Sequence, residues 1–455
     1  MTEAHVANPT MATRDMRQEP LRHVDFETPH PVPLGQVVER TDIRSSIGPF
    51  LHFPEHKTEY PQAATEALGR LYEEYNASFL PLVEANREWD TDYQYCMGPN
   101  GMPINYFVQI DMVGLPADYL MSAQQAGTDA TEDDLRGRIF EIENSLAMTN
   151  MLGELFSQDG QPSQFKDRYR AALDELREKF GKPIALLAAT QPKFDAMRSS
   201  EFGKNEDEPL TDDEVYEMTG FDAFMGPEEF ARHIEEHGGE SDYLLYVRSS
   251  DPVAKLRDPN AQIDNPLLSD DNMRRIIKAN TITMNVDNPA WGPQDPRRIN
   301  DTKAYLPMMG MAHPVYPENG YDPEEVAAYL QRQGVDEELI VQGKATVRSK
   351  PMGGTYGCYG HERGPFAGVA FANKLAKNMD LRGPYVIQPE MPIPSVEDPQ
   401  NGSFVYIDRN FMSCTGQDGA ARFMAGFRSF MPTHSPEAKK GRIHGSSATV
   451  WAEIV

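Results

Sequence analysis

Cysteine is scarce in this chain of 455 residues. Only Cys96, Cys358 and Cys414 occur, and none sits in a CxxC spacing. A disulfide framework and a paired-thiol redox motif are therefore excluded, and reduced thiols in a cytoplasmic protein are expected. Long apolar runs are missing too. Stretches such as Ile184–Ala189 are far too short to span a bilayer, and Met1–Thr10 lacks the apolar segment of a secretory signal. Basic charge is in deficit: 43 Lys+Arg face 70 Asp+Glu, a net charge of -27. Such a surface repels nucleic acid and anionic membranes, so neither is expected as a partner. No internal repeat or long low-complexity tract interrupts the sequence.

What remains is the composition of a folded protein. Hydrophobic residues make up 39% and charged residues 25%, with 21 Phe and 19 Tyr to fill cores. At roughly 150 residues per domain the length suits two or three domains. The acidity is uneven. Residues 341–455 carry 13 Lys+Arg against 9 Asp+Glu, a net of +4, leaving -31 on the preceding 340. A small basic region in an acidic body suits a compact polyanion such as a nucleotide.

Along the chain, residues 1–50 are polar and proline-dotted and read as an extended arm. Residues 51–181 read as a mostly helical region. Helical spacing runs from Gln62 to Leu80, over about Glu132–Phe156 (Ile139, Ile142, Leu146, Met151, Leu155), and over about Ser163–Lys179. A strand-and-turn texture lies between, at 95–120. From 182 to 299 strands and helices alternate: Pro183–Ala189, a helix announced by the Thr211/Glu214 capping box, Asp242–Arg248, a helix from Ser269, and Thr281–Val286. That alternation predicts an α/β layer of Rossmann-like type. After a Pro/Gly-rich linker, residues 300–455 hold a helix capped by Asp322 with Pro323 in its first turn, then strands and loops. The fold class is thus mixed α/β and α+β.

The densest chemistry lies in Thr346–Gly360. Lys350 ends a strand, and Gly353, Gly354 and Gly357 follow. Glycines let backbone N–H groups approach phosphate closely, and a lysine at the loop's root adds a point charge. It is not a Walker A loop, because no Gly-Lys-Ser/Thr follows. Upstream lies Lys303, in Asn300-Asp301-Thr302-Lys303. Downstream, Gly383–Glu390 is a strand ending in Gln388 and Glu390, and Ser403–Arg409 ends in Asp408-Arg409. Arg422, Arg428 and a final Glu453 complete the set.

In this order the parts of residues 300–455 resemble the ATP-grasp superfamily of carboxylate–amine ligases, with 182–299 resembling the α/β domain that precedes it. The resemblance implies that Lys303 and Lys350 contact nucleotide phosphates and that Gly353, Gly354 and Gly357 form a flap. It places Gln388 and Glu390 near adenine and ribose, and Asp408 and Glu453 on Mg²⁺. Arg422 and Arg428 would neutralise the transferring phosphoryl group or grip a carboxylate. It implies ATP and Mg²⁺ as cofactors, small-molecule carboxylate and amine substrates, and acyl-phosphate chemistry. Homo-oligomerisation is compatible with it. Val455 stands where the family's closing Glu-x-Asn motif has Asn, which keeps open a nucleotide-binding scaffold without turnover.

A different class is suggested by His233-Ile234-Glu235-Glu236-His237, an inverted H-x-x-E-H pattern. On a helix, His233 and His237 would share a face and could bind the Zn²⁺ of a hydrolase. Gly238-Gly239 directly after them reads as a helix end, which favours a solvated terminus.

Overall fold

A computed structural model of the chain describes residues 32–40, 50–78, 106–143, 163–188, 194, 211–248, 271–285, 303, 305–352, 361–439 and 449–455. The chain runs β1 (Val38–Arg40), β2 (Phe50–Thr58), α1 (Gln62–Ser78), β3 (Phe107–Val113), α2 (Ala117–Ala126), α3 (Thr128–Arg136) and β4 (Ile139–Glu143). Next come α4 (Gln164–Phe180), β5 (Ile184–Ala188), α5 (Asp212–Thr219), β6 (Ala223–Met225), α6 (Pro227–Glu236), β7 (Leu244–Arg248), α7 (Asp271–Asn280) and β8 (Thr281–Asn285). The last part holds α8 (Tyr305–Met308), β9 (His313–Val315), α9 (Pro323–Arg332), α10 (Glu337–Val341), β10 (Thr346–Pro351), β11 (Glu362–Pro365), α11 (Val369–Arg382) and β12 (Tyr385–Pro389). It ends with β13 (Ser395–Asp398), β14 (Gly402–Ser413), β15 (Arg422–Pro432), α12 (Pro436–Lys439) and β16 (Val450–Ile454).

These strands build three sheets, so the protein is mixed α/β. A large mixed sheet has the order β1-β2-β16-β15-β14-β3-β4, with β13 also paired to β14. A parallel sheet has the order β6-β5-β7-β8. A small antiparallel sheet has the order β11-β10-β12-β9. The parallel sheet explains the run at Ile184–Ala188. Every one of those residues is buried, as a strand covered on both faces requires.

Local signals place the helices around these sheets. The Ser163 hydroxyl accepts from the Lys166 N–H to start α4, and Gly181, at φ +64°, ends it. The capping box of Thr211 and Glu214 opens α5, and the Asp322 carboxylate accepts from the Glu324 N–H to open α9. α4 joins two sheets. Its Phe165 packs on Phe411 and Phe427 of the large sheet, and its Tyr169 reaches Phe221 beside the parallel sheet.

Between 51 and 181 the described residues hold four helices, and β2, β3 and β4 lie among them and complete the large sheet with β13–β16. One expectation is corrected. The helix expected over Glu132–Phe156 stops at Arg136. Ile139 and Ile142 fit a helical spacing, yet they lie on β4 against β3, where Ile142 pairs with Ile110 and Ile139 with Met112. Three residues of spacing cannot separate the two periods in so short a segment. Among the described residues no helix is long and apolar enough to cross a membrane.

Candidate functional site

The sequence of β3 and β4 alternates apolar and polar side chains: Val108, Ile110 and Met112 against Gln109 and Asp111, then Ile142 against Glu141 and Glu143. A strand's period of two sends each set to one face. The register puts Asp111 opposite Glu141 and Gln109 opposite Glu143. β14 lies on the other side of β3 and sets Arg409 opposite Asp111. Three carboxylates and one guanidinium therefore share a face at the β4 end of the large sheet. The Gln109 amide donates to Asp111 Oδ1 at 2.7 Å, and Arg409 Nε lies 3.8 Å from Asp111 Oδ2.

The small sheet meets this end. Its β12 alternates too: Tyr385 and Ile387 pack into a core with α9 and α11, while Val386 and Gln388 turn the other way. Across the ladder Val386 pairs with Lys350 and Gln388 with Arg348, so Lys350 shares that second face. Lys350 Nζ donates to the Phe140 carbonyl at 2.7 Å. Gln388 Nε2 donates to the carbonyls of Ile139, at 3.3 Å, and Met311, at 3.2 Å. Lys303 pairs with Glu141, and its own N–H donates to the Met352 carbonyl at 2.7 Å. Tyr305, two residues on, accepts from the Ile142 N–H at 2.7 Å. Lys303, Lys350 and Gln388, spread over 86 residues, thus converge on the five residues of β4. All three are buried.

The electrostatics follow from this crowding. Burial opposes charge on Glu141, but Lys303 and then Lys350 outweigh it and hold the carboxyl down at about 2. Glu143 goes the other way. Burial, then the charges of Glu141 and Asp111, push it up to about 8. Burial also raises Asp111, with Arg409 opposing it. His361, where the described chain resumes after the glycine-rich segment, is pushed well below its usual value by burial and by Lys350 and Lys303. Its imidazole is neutral, and its Nε2 is buried with no hydrogen-bond partner.

The other residues singled out by sequence lie elsewhere. Glu390 accepts both arms of Arg348, at 2.9 Å each, and Nε of Arg363 at 3.1 Å. Asp408 and Glu453 cannot hold one ion together. Asp408 pairs across the ladders with Arg428, which pairs with Ala452, whereas Glu453 pairs with Phe427. Directly paired residues share a face, so the two acids point to opposite faces. The Asp408 carboxylate is filled by four donors: Arg428 Nε (2.7 Å) and an Arg428 terminal nitrogen (2.8 Å), the Tyr60 hydroxyl (2.6 Å) and the Leu115 N–H (2.8 Å). Glu453 lies 3.0 Å from Lys57. Arg428 is fully engaged with Asp408 and the Leu115 carbonyl. Arg422 pairs with Glu175 and Asp418 in the open. Gly353, Gly354, Gly357 and Cys358 lie outside the described residues.

Sequence reasoning therefore missed Asp111, Glu141, Glu143, Arg409 and His361. The signal for the first three was present as Gln-x-Asp and Glu-x-Glu at strand period. Such a pattern is common to any half-buried strand, so it does not by itself mark a site.

A separate cluster joins His233, His237 and Asp242, whose ligand atoms all lie within 4.8 Å of one another. No protein-family model matches the chain, and no curated protein matches it.

Proposed function

We propose that the junction between β4 and the small sheet binds ATP with Mg²⁺ and that the protein ligates a carboxylate to an amine. The observation that carries this reading is the convergence of Lys303, which precedes the small sheet in sequence, and Lys350, on its β10, on a strand bearing Glu141 and Glu143. Two buried lysines, one of them leading in sequence into a glycine-rich segment, suit the β- and γ-phosphates. A neutral His361 beside them can donate a hydrogen bond to a phosphoryl oxygen without adding charge. Gln388, which meets Ile139 of the same strand, offers a directional amide.

The carboxylates are oxygen donors of the kind a hard divalent cation takes, although among the described residues the grouping of three ligand atoms within 4.8 Å is that of His233, His237 and Asp242. Burial and mutual repulsion keep Glu143 protonated to about pH 8, and a divalent cation beside it would favour the ionised form. Glu141 and Glu143, with Asp111 on the neighbouring strand, would hold it in place of the Asp408 and Glu453 expected from sequence. Bound there, Mg²⁺ would offset charge on the transferring phosphoryl group. The acids thus precede the lysines along the chain, the reverse of the order the resemblance implies, while the sheet restores them to one place.

In the ligation the substrate carboxylate attacks the γ-phosphorus of ATP. The bond to the β–γ bridging oxygen breaks, and ADP leaves. The amine then attacks the acyl phosphate carbon, loses a proton and releases phosphate. Lys303 and Lys350 orient the phosphates and oppose their charge. Arg409, on the same face, is placed to face a carboxylate.

The test is calorimetry of the full chain with ATP, with Mg²⁺ and with both, repeated for Lys303→Ala and Lys350→Ala. Binding that needs both ligands and is lost in either variant supports the reading. Absence of nucleotide binding to the wild-type protein overturns it. Phosphate release driven by an acid and an amine then separates a ligase from a binding scaffold.

A further inference from the structure

A cluster of metal-ligand side chains lies away from β4, at the far end of α6. The helix presents His233 and His237 one turn apart. It ends at His237, and Gly238 and Gly239 follow at φ +69° and +96°. Residues with side chains rarely adopt two successive left-handed conformations, so the glycines permit the sharp reversal. The reversal brings Asp242, just before β7, back against His237.

The chemistry of the His237 ring is settled by its neighbours. Nδ1 lies 2.7 Å from the His233 carbonyl oxygen, which can only accept, so Nδ1 carries a proton. Nε2 then faces Asp242 Oδ2 at 3.2 Å. In the neutral ring that nitrogen is a lone pair set against a carboxylate oxygen, and a cation between them removes the repulsion. A carbonyl fixing the opposite ring nitrogen is the support a metal-bound histidine needs. A tetrahedron with bonds of about 2.0–2.1 Å has edges of about 3.3 Å, so the 3.2 Å separation already has the length of one edge. The third donor is His233. Its ring centroid lies 4.1 Å from that of His237, and its buried Nε2 has no hydrogen-bond partner.

We infer that His233, His237 and Asp242 form a binding site for a divalent transition-metal ion of the Zn²⁺ class, tying the end of α6 to the start of β7. Two imidazoles and one carboxylate select Zn²⁺ over Mg²⁺ or Ca²⁺, which prefer all-oxygen sets. Three protein donors leave a fourth position to water. Asp242 and His237 are exposed, so the ion has a path in. The inference does not depend on the ATP reading.

The experiment uses metal-free full-length protein titrated with ZnCl₂, and separately with MgCl₂, by calorimetry, with bound zinc counted after gel filtration. One equivalent of zinc that His233→Ala and His237→Ala each weaken by more than about tenfold is expected, since even an outer-shell partner costs that much. Asp242→Asn tests the same point with little change of shape. Glu141→Gln/Glu143→Gln, altered only on β4, should keep this zinc. Matched circular dichroism of the variants guards against misfolding. If the wild-type protein takes up no zinc, His237 and Asp242 are an ion pair only and the inference fails. It fails equally if the β4 variant loses the zinc while the histidine variants retain it.

Discussion

Asp408 and Arg409 are neighbours on β14, yet they belong to two different worlds. On the Asp408 face a buried carboxylate meets four donors from Arg428, Tyr60 and Leu115. On the Arg409 face Asp111, Glu141 and Glu143 crowd together, and the carboxyl of Glu143 is left holding its proton. Burial alone does not separate structure from function here, because Asp408 and Asp111 are both buried. The crowding of like charge does. A carboxylate whose lone pairs are all filled by the protein belongs to the scaffold. Acids pressed together until one keeps its proton would be stabilised by a cation the chain does not itself supply.

The largest expected effect breaks the first face. Arg428→Ala leaves Asp408 buried without its charge partner, and unfolding in urea should show a loss of about 3–5 kcal/mol. If the variant were as stable as the wild type, Asp408 would not be the fixed anchor its contacts imply. On the other face Lys350→Ala should keep the fold and lower ATP affinity roughly ten- to hundredfold, the worth of about 1.5–3 kcal/mol for a charge-assisted hydrogen bond. Calorimetry that found unchanged binding would remove Lys350 from the site.

A third prediction sharpens the contrast through pH. Folded Glu143 keeps its proton up to about pH 8, whereas in the unfolded chain a glutamate loses it near pH 4.3. A raised carboxyl contributes stability at low pH and loses it as pH rises through that window. Asp111, also raised, acts with the same sign. Glu141, held low, contributes in the opposite sense, but only below about pH 4.3. Histidines held low by burial, His361 and His56 among them, add stability as pH rises, but only up to about pH 6.5. Metal-free wild-type protein should therefore melt at falling temperature between about pH 7 and 8, and Glu143→Gln should flatten the curve there. A parallel pair of curves would count against the crowding of these acids. The smallest effect is expected from Arg422→Ala. Its partners Glu175 and Asp418 are exposed, and such pairs contribute little. A clear fall in melting temperature or in ATP binding would reveal a role that its position does not suggest.

The strands that carry Lys350 and Gln388 were legible in sequence, because their apolar and polar pattern is local. So were the caps of α4, α5 and α9 and the buried run of β5. The acidic half of the site was not. Glu141 and Glu143 acquire meaning only when β4 pairs with β3, and β3 with β14 some 300 residues away. No local pattern reports such a pairing. Asp408 and Glu453 looked equally suited as ligands from their places in late strands. Only the register through β15, with Arg428 opposite Asp408 and Phe427 opposite Glu453, shows that they cannot meet. His233 and His237 were legible as a pair. Their third partner was not, since Asp242 returns only through a turn made by two glycines.

The outermost strand of the large sheet, β4, is met by Gln388 at Ile139, by Lys350 at Phe140 and by Tyr305 at Ile142. A strand in that position would have fixed the spacing at a ladder's width of about 4.8 Å. Three side chains of unequal reach act instead as struts. The spacing between β4 and the elements that face it is therefore set by the lengths of a lysine, a glutamine and a tyrosine, and point substitutions can reset it while both ladders stay intact.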